Sequence, residues 1–245
     1  MNGVIWLPFV MSTAITIFIT LVRHGQTEYN LKHFTQGQSN IPLNDEGRNQ
    51  AVLAGKALKN QNFDVIYSSD LLRAFETTET IIEQSDVLKS SYQIRSEILL
   101  RETSHGVFEN RPSEDLKNAA KAAGFVEPEL KKFRPENGEN EDDVSIRAQK
   151  FLTKILKEEC EKQKAKTDIL VVSHGLLLRE LLRILLDVEN SGKEKVDGWR
   201  AKLLSGTGPN TGISKFNLGI DANCDIISAT CISFLSDDHL NKCIA

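Results

Sequence analysis

The chain has 245 residues, 40% of them hydrophobic and 26% charged, and 30 basic against 34 acidic side chains leave a formal net charge of −4. That balance excludes a disordered chain, which would be poorer in apolar residues, and a general nucleic-acid binder, which carries a basic face. A chain this long buries enough surface to fold without disulfides or metal, and Cys160, Cys224, Cys231 and Cys243 form no C-x-x-C pair and no zinc spacing with histidine.

Met1–Val22 carries no charged side chain, so its length alone touches the threshold for a membrane helix. It has no positive n-region, Pro8 interrupts it, and its second half alternates β-branched residues with Thr. The expectation is no membrane anchor. Residues 1–14 read as a flexible leader, with Met11 available as an alternative start. Ile15–Val22 reads as a strand buried on both faces.

Asn44 or Asp45 then caps a helix running to about Lys59. Phe63–Ser68 is a second strand, and Ser69 or Asp70 caps a helix through about Glu83. Tyr92–Ile98 reads as an edge strand. The stretch from about 103 to 138, broken by Pro112, Pro128 and Pro135, reads as an insertion over the sheet with a short helix near Ser113–Ala123. Asn140 or Asp142 opens a long helix to about Lys164. The acids of Glu139–Asp143 suit its first turn, and Lys154–Lys166 suits a solvated face. Asp168–Ser173 is a fourth strand, Gly175–Leu186 an apolar helix, and Gly212–Leu218 and Ile226–Phe234 are late strands before a polar tail.

Strands alternate with helices, which predicts an α/β fold: a three-layer α/β/α sandwich on a mostly parallel, mixed central sheet. No repeat or linker divides it, so residues 15–245 form one expected domain. The thiols without a framework and the absence of an N-x-[ST] sequon suit a reducing, cytoplasmic compartment.

The residues that carry chemistry follow strands. Arg23-His24-Gly25 comes directly after the first strand, and Ser173-His174-Gly175 follows the fourth and opens a helix. Ligands of open α/β sheets bind beyond the carboxyl ends of strands, and helix N-termini favour anions. Arg73 falls in the first turn of the helix after the second strand. Two histidines and two arginines thus converge on one sheet edge, which suggests a phosphoryl pocket with an imidazole free to attack. Gly25 would let the backbone approach the anion.

The run Leu21–Asn30 resembles the signature of the histidine phosphatase superfamily, the phosphoglycerate mutase-like proteins. Gln36-Gly37, Pro42–Gly47, Ser69–Arg73 and Ser173–Gly175 match the same pattern. The resemblance implies the mutase-like fold and a phosphohistidine route. His24 would be the nucleophile. Arg23, Arg73 and His174 would hold the phosphoryl oxygens. Asn30, Gln36, Gly37 and Gly175 would line the substrate pocket. Glu102 would protonate the leaving oxygen and later accept a proton from water. No metal and no cofactor are implied, and the partner is a small phosphate ester, with no nucleic acid. Gly175 after His174 disfavours the acid-phosphatase branch, which carries Asp there.

Mutases of this family carry an adjacent Arg pair, and this chain has none. The segments Leu116–Gly124 and Pro135–Glu139 resemble the insertion of the TIGAR-type fructose-2,6-bisphosphatases, which makes that bisphosphate the leading substrate. Arg101, Arg111, Lys117 and Lys121 are the cations at hand for its second phosphate. The alternatives are a broad phosphomonoesterase, a mutase and a catalytically weak phospholigand-binding protein. His105 is either a substrate contact or a surface imidazole. His33 and His239 read as surface residues. Glu109 fits a position behind the pocket, but Asn110 replaces the glycine usual beside it.

Overall fold

The computed structural model describes residues 15–87, 92–189 and 206–241. The leader 1–14, with Met11, lies outside the described residues, as do Cys243 and the end of the tail.

Six strands form one sheet: β1 (Ile15–Arg23), β2 (Val65–Ser68), β3 (Ile94–Ser96), β4 (Lys166–Ser173), β5 (Ile213–Ile220) and β6 (Ile226–Ser236), in the order β3-β2-β4-β1-β5-β6. β1, β2, β3 and β4 pair in parallel, while β5 runs antiparallel to both β1 and β6. The helices are α1 (Glu28–Leu31), α2 (Asp45–Leu58), α3 (Leu72–Glu83), α4 (Ser113–Ala122), α5 (Glu141–Glu161), α6 (Gly175–Glu189) and α7 (Asp238–Asn241).

The two-residue period of the strands sorts side chains between two cores. Ile17, Ile19 and Leu21 of β1 and Ile169 and Val171 of β4 pack with α5 and α6. Val22, Leu170 and Val172 face the other way, onto Ala54 and Leu58 of α2 and Ala74 and Ile81 of α3. Each buried Leu or Ile contributes about 1.5–3 kcal/mol, so both layers are strongly held. This is the expected three-layer sandwich. Among the described residues no helix is long and apolar enough to cross a membrane.

Local signals set the helix starts. The Asn44 side chain accepts from the Gly47 amide, and Asn140 and Asp143 form a reciprocal capping box at α5. The expected cap at Ser69 or Asp70 is wrong. α3 begins at Leu72 with Leu71 as an uncapped N-cap residue, because the Ser69 hydroxyl reaches only the Leu71 amide, at 3.3 Å and ahead of the helix, and Asp70 is engaged elsewhere. The Asp70 carboxylate accepts from Arg101, and the Ser69 hydroxyl meets His174. Glu139 likewise is no helix-dipole acid: it lies outside α5 and accepts from Arg147 and the Ser104 amide. The Lys154–Lys166 stretch is not simply solvated either. Lys154 pairs with buried Glu97, and Lys162 with fully buried Glu159.

Candidate active site

β1 and β4 are neighbours, with Arg23 registered against Ser173. Each strand therefore ends at the same level, and the His24 amide donates to the Ser173 carbonyl at 2.9 Å. His24 and His174 follow at once, with ring centroids 5.2 Å apart. Both are buried, at 2% and 0% exposure. Arg73 reaches the same place from α3 and is also fully buried.

Hydrogen bonds assign the two imidazoles the same Nδ1–H tautomer but leave a different ring nitrogen free on each. His24 Nδ1 lies 2.6 Å from the Gly25 carbonyl, which can only accept. Nδ1 therefore carries the proton, and Nε2 keeps a lone pair. His174 Nε2 lies 2.8 Å from Ser69 Oγ. With the hydroxyl donating to Nε2, the proton sits on Nδ1, which is buried without a partner among the described residues. One ring offers a nucleophile and the other a donor.

The electrostatics keep both rings neutral. Burial, then Arg73 and Arg23, hold the His24 pKa well below the usual imidazole range. Burial, then Arg73, His24 and Arg23, do the same to His174. Burial also draws the Arg73 guanidinium down to about 10 and lowers Arg23, in each case opposed by Glu102.

Backbone carbonyls fix the cations. Arg73 donates to the carbonyls of Ser39 (2.9 Å) and Gly37 (2.8 Å), and Arg23 donates to those of Thr207 and Gly208. Their Nε atoms are buried and, among the described residues, unpartnered, like His174 Nδ1. Three unsatisfied donors on residues that surround one imidazole are what an oxyanion would complete.

A pocket of about 240 Å³ opens here, lined by Arg23, His24, Asn30, Gln36, Gly37, Arg73, Glu102 and His105 among others. Glu102 is held by two amides: Oε1 accepts from Thr103 at 2.8 Å and Oε2 from Leu176 at 3.2 Å. Gln36 Oε1 accepts from the Thr27 hydroxyl at 3.0 Å, and Asn30 forms a capping box with Thr27 at α1. Gly175 is not on this wall. It opens α6 against Thr207, 2.7 Å from where a Cβ would stand, and Leu176 lines the pocket in its place.

Other expectations are settled here. Gly25 is packed against protein backbone: an added Cβ would stand 2.4 Å from the Gly47 carbonyl. Glu109 organises the rim, accepting from the amides of Gln38 (2.9 Å) and His105 (3.0 Å). Asn110 holds φ +64°, a conformation that Asn tolerates, so the loop does without its glycine. His105 is half-buried and lines the pocket, its pKa lowered by burial. His33 is exposed, but His239 is 7% exposed and bonded to Thr211, not a surface residue.

The four cations considered for a second phosphate are all paired. Arg101 is bound to Asp70, Arg111 to Asp115, and Lys117 and Lys121 face Glu114. None lines the pocket. Sequence reasoning missed Ser69, Arg147 and the 207–211 loop. Arg147 donates to the carbonyls of Leu99 (2.8 Å) and Arg101 (2.6 Å) and to both oxygens of Glu139.

Residues 19–205 match the model of the histidine phosphatase superfamily, branch 1. The chain belongs to that superfamily. Within it, the chain is 32% identical to fructose-2,6-bisphosphatase TIGAR B of Danio rerio, over 93% of this chain and 98% of that protein. Mycobacterial glucosyl-3-phosphoglycerate phosphatase superposes with a TM-score of 0.72 at 26% identity, covering 91% of this chain and 100% of that one. Phosphoglycerate mutase from Bacillus anthracis gives 0.72 at 27% identity, over 95% and 99%. This histidine phosphatase therefore acts on a phosphate ester, and its six-stranded sheet with flanking helices is the mutase-like fold.

Proposed function

We propose that the protein hydrolyses a small phosphate monoester through a phosphohistidine on His24. The observation that carries this is the trio of buried, unpartnered donors, Arg23 Nε, Arg73 Nε and His174 Nδ1, around an imidazole whose Nε2 is deprotonated. A phosphoryl group there would gain hydrogen bonds at all three as charge spreads over its oxygens. Phosphoryl transfer needs chiefly this positioning and cationic stabilisation.

In the first step His24 Nε2 bonds to phosphorus as the ester P–O bond breaks, and Glu102 gives its proton to the leaving oxygen. In the second, water attacks the phosphohistidine, Glu102 takes the water proton, and the P–N bond electrons return to Nε2. Asn30, Gln36 and Gly37 line the substrate side, and Gly175 acts indirectly by letting α6 start close to Thr207. We read residues 15–245 as one phosphatase domain, with 103–138 covering the site. The route calls for no metal: EDTA leaves turnover intact, and abolition reversed by Mg²⁺ would overturn it. The free thiols of Cys160, Cys224 and Cys231 suit a cytoplasmic setting.

Fructose-2,6-bisphosphate remains the leading substrate on the likeness to TIGAR B and the insertion segments. One observation favours a second reading, a monophosphate esterase: Arg101, Arg111, Lys117 and Lys121 face carboxylates instead of the pocket. The mutase is disfavoured by the missing Arg pair. Phosphate release from fructose-2,6-bisphosphate, fructose-1,6-bisphosphate, 2,3-bisphosphoglycerate, 3-phosphoglycerate and an aryl phosphate decides between them. Strongest activity on a bisphosphate supports the first reading, and strongest activity on monoesters the second. Phosphoglycerate isomerisation dependent on added bisphosphoglycerate would identify a mutase. Normal phosphate binding with no turnover would identify a phospholigand-binding protein.

A further inference from the structure

A larger pocket, of about 640 Å³, lies between α2, the start of β5, the end of β6 and α7. That is within the roughly 300–1,000 Å³ of small-molecule sites. Leu53, Leu58, Ile213 and Ile232 give it apolar walls, and Lys56 and Lys215 are its cations. Lys215 is half-buried on β5, with no ion pair or hydrogen bond among the described residues, and burial alone lowers its pKa. A half-buried ammonium without a counter-charge is unfavourable unless something anionic meets it. Asp238, the acid at the rim, accepts instead from the Ser236 hydroxyl at 2.9 Å.

The wall of this pocket is continuous with the catalytic strand end. The segment leading into β5 holds Arg23 through the carbonyls of Thr207 and Gly208. It also holds the His24 carbonyl, through Asn210 Nδ2 at 3.0 Å and the Thr211 amide at 3.4 Å. Thr211 Oγ1 in turn lies 2.9 Å from Nε2 of His239, which lines the pocket. Thr211 is fully buried at φ +53°, a region that β-branched residues rarely enter. Strain of this kind persists only where the surroundings enforce it, and it concentrates at functional and switching positions.

We propose that this pocket is a second ligand site, for a small anion with an apolar body, and that its occupancy biases the 207–211 loop that holds Arg23 and His24. Lys215 and Lys56 meet the anionic group, the leucines and isoleucines meet the apolar body, and His239–Thr211 transmits the change to the His24 backbone. This goes beyond the phosphatase reading and does not depend on turnover.

The test uses the full chain with 8-anilinonaphthalene-1-sulfonate as the amphipathic anion and orthovanadate as occupant of the phosphoryl pocket, both followed by fluorescence and calorimetry. One sulfonate binds per chain. Lys215→Met weakens it at least tenfold, and Lys56→Met, an exposed helix change that spares the fold, weakens it severalfold. Vanadate shifts sulfonate affinity two- to tenfold, and sulfonate shifts vanadate affinity by the same factor, as linkage requires. Unchanged affinity in both variants overturns the site. Outright competition places the sulfonate in the phosphoryl pocket and overturns it too. Independent binding of the two ligands overturns the coupling.

Discussion

His24 and His174 face each other at 5.2 Å between ring centroids, tilted by 55°, with complementary free nitrogens: His24 Nδ1 donates to the Gly25 carbonyl, and His174 Nε2 accepts from Ser69. The pair therefore presents one lone pair and one N–H. The lone pair does not survive protonation of His24, and the burial and cations that hold both rings neutral protect it.

Replacing His24 removes the only group in this arrangement that can form a bond to phosphorus. His24→Ala should lower kcat at least about a thousandfold, as loss of a nucleophile does, and abolish the acid-labile phosphoenzyme in rapid-quench labelling. Residual turnover within tenfold of wild type would transfer the nucleophile elsewhere.

Arg147 grips the carbonyls of Leu99, Arg101 and Glu102, at and just before the acid, and so should act through Glu102. For an alkyl phosphate, whose leaving oxygen needs a proton, Arg147→Ala and Glu102→Gln should each cost about a hundredfold in kcat/KM, the lower end for general acid catalysis. For 4-nitrophenyl phosphate, which leaves as a stable anion, the loss in kcat/KM, which reports only the first phosphoryl transfer, should be within about threefold. An equal loss on both substrates for Arg147→Ala, with Glu102→Gln still selective, would make Arg147 merely structural.

Acid should unfold the protein early. Both buried imidazoles have folded pKa values depressed below the unfolded value, so the unfolded chain binds more protons once the pH drops below about 6.5. Stability is then full above that pH and falls as pH is lowered through the window beneath it. The limiting slope is about 1.4 kcal/mol per pH unit for each histidine. Urea midpoints measured from pH 7.5 to 5 should show the decline, and His174→Gln should flatten it.

Gly47 should resist even a methyl group. A Cβ there would sit 2.0 Å from the Gln26 carbonyl, in the loop that follows His24. Gly47→Ala should destabilise by about 1–3 kcal/mol, the range for forced overpacking, and lower activity by shifting that loop. A neutral effect in thermal denaturation would show that α2 slides freely against the loop.

The strand-end motifs were legible because local pattern specifies them: β-branched runs stop at Arg23-His24-Gly25 and Ser173-His174-Gly175, and Arg73 sits at a fixed spacing from Ser69. The partners of these residues were not legible, because they are tertiary. Ser69 meets His174 across 105 residues and Arg23 meets Thr207 across 184, and no periodicity records either contact. Ser69 looked like a cap for the same reason: a serine before a helix is a local signal, but the hydroxyl reaches only the Leu71 amide ahead of the helix and serves a distant imidazole as well. Gly25 was misread for a related cause. Its missing side chain serves the close approach of Gly47, which sequence alone cannot reveal.

The register of β1 on β4 also makes activity a clock for folding. Arg23 and Ser173 become neighbours only when two strands separated by most of the chain have docked in parallel, and such distant pairings form slowly because loop closure must come first. During refolding, helical signal should therefore return before vanadate binding does, and the delay between them times the closure of the central strand pair.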